Sequence, residues 1–233
     1  MSGVEPTVTV VVPALDEAEN LPHVLPRIPH WVHEVVLVDD HCTDDTVAVA
    51  QRLLPRIRVV ENTGAPGKGN ALRAGFEVAS GEIVVALDAD GSEDPAEIPL
   101  FVGALLSGAD YAKGSRFIQG GGTSDMPLLR RLGNKAFVLL VRGLYGARYS
   151  DLCYGYNAFW RRVLPQLDLD VAGFEIETLL TIRAHKAGLR IKEVPSFESA
   201  RIHGVGRLVT FPDGWRVLKT IWRERASTET AAV

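Results

Sequence analysis

The sequence predicts an α/β protein built on a doubly wound, mostly parallel sheet flanked by helices, and three observations carry that reading. Short β-branched apolar runs alternate with amphipathic stretches over the first hundred residues. Each run is continuous rather than alternating, as strands covered on both faces must be. Acidic residues follow directly on three of the runs, at the strand ends where an open sheet of this kind gathers its ligand groups.

The expected strands are Val8 to Val12, Val35 to Val38, Ile57 to Val60 and Ile83 to Leu87. Between them, Leu21 to Ile28 is a poor helix interrupted by Pro22 and Pro26, whereas Thr43 to Leu54 begins on a good N-cap residue. Asn70 to Ala79 stops at Ser80-Gly81, and Asp94-Pro95 opens a helix reaching about Leu106. After Tyr111-Ala112, Gly114-Ser115-Arg116 leads into a flexible Gln119 to Ser124 loop. A helix is then expected from Pro127 to about Tyr145, a strand around Tyr156 to Phe159 and a helix from Phe174 to Lys186, stopped by Gly188. A strand from Arg190 to Val194 and an amphipathic helix from Gly214 to Arg225 follow. Without repeats or an interdomain linker, residues 1–226 read as one domain, with a ligand-binding half at about 8–116, a second half at about 117–226 and a disordered tail at 227–233.

A chain of 233 residues with 46% hydrophobic content can bury a sizeable core, so disordered and fibrous classes are excluded. The net charge of −4 argues against a nucleic-acid binder. The charge is unevenly spread: Lys113 to Arg148 holds seven bases and one acid, and Arg201 to Arg225 six bases and two acids, so the second half offers a basic face to something anionic. No apolar run approaches the ~20 residues of a membrane span and no export signal opens the chain, which points to the cytosol. Cys42 and Cys153 lack ligand spacing and read as reduced thiols.

Asp88-Ala89-Asp90 is the sharpest local feature. Two carboxylates leaving one strand end can hold Mg²⁺ or Mn²⁺ and, through the ion, a diphosphate. Alone the pattern is as well explained by a solvated turn; Asp39-Asp40 at a second strand end strengthens it, since an acid there can accept hydrogen bonds from a base or a ribose. Gly64 to Gly69 reads Gly-Ala-Pro-Gly-Lys-Gly, and Gly69 stands where a nucleotide-hydrolysing P-loop needs Ser or Thr. That loop is either a diphosphate cradle with Lys68 as counter-charge or a plain turn with a surface lysine. No GxGxxG follows the first strand, which disfavours nicotinamide and flavin enzymes.

Taken together, Val10 to Leu21, Val38-Asp39-Asp40 with Thr43 to Thr46, Gly67 to Ala71 with Gly75, Ser80-Gly81-Glu82 with Asp88-Ala89-Asp90, and Gly114-Ser115-Arg116 resemble family 2 glycosyltransferases of the GT-A fold. The nearest subgroup is that of the polyprenyl-phosphate glycosyltransferases, which contains dolichyl-phosphate mannose synthase; the resemblance spans roughly residues 8 to 222. It implies that Pro13, Ala14, Glu17 and Asp40 line a nucleotide pocket with Asp39 beside them, and that Asp88, Ala89 and Asp90 form the metal motif. It further implies that Arg116 and Arg130 lie near the donor diphosphate and an acceptor phosphate, with Asn134 one turn beyond, and that Asp151 with Gly155-Tyr156 forms the family's D-x-x-x-G-[FY] segment. The chain departs from the pattern at Cys153-Tyr154, at Gly91-Ser92-Glu93 and at His41-Cys42, positions that bear on acceptor and sugar rather than on reaction class.

The expected activity is metal-dependent, inverting transfer of a hexose from a GDP- or UDP-sugar to a polyprenyl phosphate. An ionised lipid phosphate needs no general base, only cations that hold it in line, and Asp90, Arg116, Arg130 and Asp151 are the expected catalytic group. The alternative is a soluble enzyme acting on a hydroxyl of a metabolite or glycan, with Asp151, Glu175 or His203 as base; each of these also reads as a turn cap, a first-turn acid or a loop residue. A non-catalytic nucleotide-binding module would have no use for Arg116 and Arg130. Apolar residues around Leu128, Leu132, Phe137 and Leu140, and the basic segment with Phe211, Trp215, Ile221 and Trp222, fit peripheral contact with the inner membrane face as well as ordinary core packing.

Overall fold

The computed structural model describes residues 5–230. Nine strands and seven α-helices follow one another along the described residues. The strands are β1 (Val8–Ala14), β2 (Glu34–Asp39), β3 (Arg58–Glu61), β4 (Ile83–Ala86), β5 (Tyr111–Ser115), β6 (Gly122–Thr123), β7 (Asn157–Trp160), β8 (Ile191–Pro195) and β9 (Phe197–Glu198). The helices are α1 (Leu21–Val24), α2 (Thr46–Leu53), α3 (Lys68–Val78), α4 (Ile98–Leu106), α5 (Leu128–Tyr145), α6 (Ile176–Lys186) and α7 (Thr210–Thr230). Seven strands form one sheet in the order β3-β2-β1-β4-β7-β5-β8. It is parallel except for β7, which runs antiparallel to both β4 and β5.

Continuous apolar runs arise because both faces of this sheet are covered. Val10, Val12 and Val85 enter a core with Phe101 and Tyr156 on one face, while Val11, Val36 and Val38 enter a core with Phe76, Phe159 and Leu179 on the other. A third cluster, with Val141, Leu152, Ile182, Val217 and Ile221, seats α5 and α7 against α6. Phe137 and Leu140 pack on that cluster, so the apolar surface expected there is partly core.

Most differences from expectation lie at element ends. Pro22 and Pro26 cut the first helix to a single turn followed by a 3₁₀ turn. α2 starts three residues after Thr43 because Asp44 accepts from both Thr46 N–H and Thr46 Oγ1, while Thr43 donates instead to Asp16. α5 stops at Gly146, whose φ of 72° closes a left-handed cap. α7 begins four residues before Gly214 and runs through Thr230, so the tail expected from Ser227 is helical over its first four residues; 231–233 lie outside the described residues. The ribbon β6/β9 and the irregular strap of residues 199–209 were not anticipated.

Gly75 of α3 lies where the helix crosses β1 and β2. A Cβ there would stand 2.3 Å from Val11 Cγ1 and 2.8 Å from Val38 Cγ2. Gly75→Ala gains ~0.5–1 kcal/mol of helix propensity, but overpacking two fully buried valines costs ~1–3 kcal/mol and prevails. The expected result is a melting temperature lower by about 2–8 °C, read by differential scanning calorimetry; an unchanged or raised value would contradict this packing.

Candidate active site

A cleft of about 750 Å³ opens at the carboxyl ends of β1, β2, β4 and β5 and extends between α5 and α7. One end is built from the loop after β1. Glu17, 6% exposed, accepts from Asn20 Nδ2 at 2.6 Å and from Arg201 Nη2 at 2.5 Å on both oxygens. Pro13 and Ala14 line the same wall. Asp40 receives Gly67 N–H at 2.9 Å and Asn62 Nδ2 at 2.6 Å, which pins the Gly-rich loop beside the cleft. Gly67 is required there because a Cβ would meet Ala172 O at 2.3 Å. Asp39 lies off the cleft wall, where it caps Cys42 N–H at 2.8 Å; the place expected for it beside the nucleotide pocket is a turn-capping position.

The floor carries an excess of carboxylates. Lys68 at the start of α3 lies 2.7 Å from Asp88 Oδ2 and 2.8 Å from Glu177 Oε1. Burial by itself would lower this lysine; Asp88, Glu177 and Glu93 outweigh it and hold the ammonium well above its ordinary range. Glu93, 1% exposed, accepts Asp88 N–H at 2.9 Å, and burial, then Asp88, pushes its carboxyl well up. Burial, with Asp90 and Glu177 against the pull of Lys68, pushes Asp88 up to about 6. Asp90 Oδ1 accepts Ser92 N–H and Oγ at 3.0 and 2.7 Å, and Asp90 Oδ2 meets Arg201 at 3.2 Å. Gly155 leaves room for this cluster: a Cβ would sit 2.7 Å from Lys68 Nζ and 3.1 Å from both Asp88 and Glu93.

Such under-compensated, hard oxygen donors fit Mg²⁺ or Mn²⁺, with Asp88 and Asp90 as the residues that would hold it. Among the described residues one set of three potential ligands lies within 4.8 Å: Asp16, Cys42 and Asp44. Its carboxylates already accept from Thr43 and Thr46, and burial pushes the Cys42 thiol up to about 12, so it offers a protonated sulfur where a hard cation needs oxygen. Burial likewise pushes Cys153 up to about 12, and both cysteines are free.

The expectation for Asp151 needs correction. It is fully buried, does not line the cleft, and is gripped by Arg116 through Nε at 2.7 Å and Nη2 at 2.9 Å. Burial would raise its carboxyl; Arg116 overrides this and holds it below the usual range. Arg116 also donates to Glu198 at 2.9 Å and to Cys153 O at 2.7 Å, with the Tyr154 ring 4.6 Å away. It lines the cleft, but most of its donors are spent on tying β5, the 151–155 loop and β9 together.

Arg130 of α5 lies on the cleft wall, its Nη2 on Leu208 O at 2.8 Å and its Nε on Thr210 Oγ1 at 3.2 Å. Asn134, one turn on, lines the cleft and accepts Leu152 and Cys153 N–H at 3.1 Å each. Glu175 and His203, expected at an acceptor, do not line the cleft. Glu175 accepts Gly173 N–H at 3.3 Å, with Oε2 buried and unpartnered, and His203 is exposed on the strap beside His23. Residues missed from sequence are Glu93, Glu177 and Arg201. Glu177 carried no distinguishing local signal: Glu175 stands two residues before it, and Thr178, Thr181 and Arg183 follow in the same helical stretch.

The family model for Glycosyl transferase family 2 matches residues 9–167. Polyprenol monophosphomannose synthase of Mycolicibacterium smegmatis is 35% identical over 211 residues, 85% of this chain and 80% of that protein. Dolichol-phosphate mannosyltransferase of Pyrococcus furiosus is 32% identical over 209 residues, 86% of this chain and 59% of that longer protein. Glucosyl-3-phosphoglycerate synthase of Mycobacterium tuberculosis, solved with Mn²⁺, UDP and glucosyl-3-phosphoglycerate, superposes with a TM-score of 0.73 at 26% identity, covering 95% of this chain and 80% of that one. The same protein has been solved with Mg²⁺ and UDP.

Two outcomes are expected. Asp151→Asn should lose ~3–5 kcal/mol in chemical denaturation by breaking a buried pair. Because the folded carboxyl lies below its unfolded value near 3.8, the contribution is complete above that value and is lost as pH falls through the lower one, so the variant's acid limb should flatten. Second, a proton on Asp88 competes with a cation: Mn²⁺ affinity, read by calorimetry, should be about tenfold weaker at pH 5 than at pH 7.5.

Proposed function

The chain belongs to glycosyl transferase family 2, and on that premise we propose that it moves a hexose from a nucleoside-diphosphate sugar to a polyprenyl phosphate at a membrane surface, inverting the anomeric carbon. The observation that carries this reading is the polarity of the cleft. Its acidic floor around Asp88 and Asp90 gives way, past Arg130, to a mouth lined by Leu129, Phe137, Phe211, Trp215 and Leu218. A phosphate on a long apolar chain has the same polarity, and the relatives' names point to the same acceptor class.

A divalent ion on Asp88 and Asp90 would neutralise the charge that develops on the leaving diphosphate. The chain's own residues do the rest. Glu17, Asp40 and the loop pinned by Gly67 hold the nucleoside end. Arg130 holds the acceptor phosphate in line with the anomeric carbon, and an ionised phosphate oxygen attacks without a base. Arg116 acts one layer down by fixing the loop that carries Tyr154 and Gly155. The structural likeness to a phosphoglycerate-glycosylating enzyme favours a second reading, a small phosphorylated acceptor, which Arg130 would hold in the same way.

No helix among the described residues is long and apolar enough to cross a membrane, and contact is proposed through exposed faces. α7 turns Phe211, Trp215 and Trp222 outward at 78, 57 and 53% exposure, while α5 turns out Leu128, Leu132 and Leu139. Arg216, Lys219 and Arg223 are exposed on this helix, Arg216 paired with the buried Asp213 at 3.1 Å and Arg223 with Asp170 at 3.0 Å. Each such cation contributes about 1 kcal/mol on an anionic surface.

Arg130→Ala is expected to cut transfer to polyprenyl phosphate about 10- to 100-fold, through loss of a charge-assisted contact, with Mn²⁺-dependent nucleotide binding unchanged within twofold. Transfer assays in phosphatidylglycerol-containing vesicles read this, and the coupling constant of the product's anomeric proton reads inversion. Label passing only to water-soluble phosphorylated acceptors would favour the second reading. Equal flotation with neutral and anionic vesicles would overturn the electrostatic part of membrane contact.

A further inference from the structure

The floor of the cleft contains more hydrogen-bond acceptors than any phosphate would tolerate. Asp88, Glu93 and Glu177 surround one ammonium, Lys68, whose Nζ donates to Asp88 and to Glu177. A diphosphate, itself all acceptor, is repelled here unless a cation intervenes. A neutral group rich in O–H donors is not. Glu177 is the member aimed at such a group. It lies on the first turn of α6, lines the cleft, and is 6% exposed. Lys68 holds Oε1 at 2.8 Å, so the carboxylate cannot swing. Among the described residues the Glu177 carboxylate is hydrogen-bonded through Oε1 alone, which leaves Oε2 as the acceptor this cleft-lining side chain can offer a ligand. Phe174, also on the cleft wall with Lys68 5.8 Å from its ring centre, supplies an apolar face beside it.

We infer that Glu177 accepts hydrogen bonds from hydroxyls of the transferred sugar and sets which hexose the enzyme uses, with Lys68 as the residue that fixes its orientation. The inference rests on the donor half of the proposed function, a nucleoside-diphosphate sugar, and is independent of the acceptor. A fixed carboxylate oxygen discriminates axial from equatorial hydroxyls because the wrong epimer leaves a buried acceptor unpaired. The compartment between Asp88 and Glu177 suits a ring bonded to a diphosphate: Lys68 bridges the two carboxylates, and Gly155 keeps the wall open beside them.

The test compares calorimetric binding, with Mn²⁺, of UDP, GDP, UDP-glucose, UDP-galactose, GDP-mannose and GDP-glucose to the full chain and to Glu177→Gln and Glu177→Asp. The inference expects the preferred sugar nucleotide to lose about 10- to 100-fold affinity in Glu177→Gln, the preference between epimers to shrink by a similar factor, and Glu177→Asp to fall between. UDP and GDP should stay within twofold, since they lack the sugar. A parallel loss for bare and sugar-bearing nucleotides would overturn the inference, because Glu177 would then act only through Lys68 on Asp88. Unchanged epimer preference would overturn it too. Should the wild type bind no sugar nucleotide, the donor reading fails and the inference with it; failure of transfer to polyprenyl phosphate alone touches only the acceptor reading and leaves these binding outcomes decisive.

Discussion

The ammonium of Lys68, 2.7 Å from Asp88 and 2.8 Å from Glu177, is what lets four carboxylates share one side of a cleft. Two like charges about 4 Å apart repel by ~4 kcal/mol at an effective dielectric of 20, and a floor holding Asp88, Asp90, Glu93 and Glu177 without compensation would take up protons or come apart. Lys68 cancels one charge and leaves a surplus. Burial, together with that surplus, pushes Asp88 up to about 6 and suits the floor to a cation. Its placement comes from backbone: α3 begins at Lys68 because Asp40 pins Gly67, and Gly67 and Gly69 approach residues 171–172 too closely for any side chain.

A second ionic assembly does different work. Arg116 is bonded to both Asp151 and Glu198, and Arg116 and Asp151 are withdrawn from solvent. The assembly ties together the end of β5, the loop before β7 and the ribbon of β6 and β9, three pieces distant in sequence. A buried pair of this kind adds modest net stability but strongly penalises any structure that separates its members. It therefore fixes the wall that Tyr154 and Gly155 present to the cleft, although Asp151 itself does not line it.

The two ends of the cleft then differ in sign by construction. Strand ends supply acids at one end, and α5 supplies Arg130 with an apolar rim at the other. The strap of residues 199–209 crosses between them, bonded through Arg201 to Glu17 and Asp90 and through Leu208 O to Arg130. A donor and an acceptor of opposite demands can thus meet in one groove.

The doubly wound sheet, the strand-end acids and the family resemblance were legible in the sequence because they are local: continuous β-branched runs, Asp88-Ala89-Asp90 after one of them, and a Gly-rich turn before a helix are written within a few residues. Asp88, Asp90, Asp40 and Lys68 were singled out by that route and Glu17 and Arg130 through the resemblance, and all six line the cleft. The antiparallel insertion of β7 between β4 and β5 was not, since strand order is set by long-range pairing rather than by any one run. Nor were the partners of charged side chains. Asp151 looked like a base until Arg116 was seen to hold it, Glu175 and His203 fell outside the cleft, and Glu177 and Arg201 entered it. A side chain's role depends on what lies within about 4 Å, and for Asp151, Glu177, Arg201 and His203 those neighbours come from 35 to more than 180 positions away in the chain. Only the tertiary structure decided which carboxylates are paired, which are strained by one another, and which face the cleft.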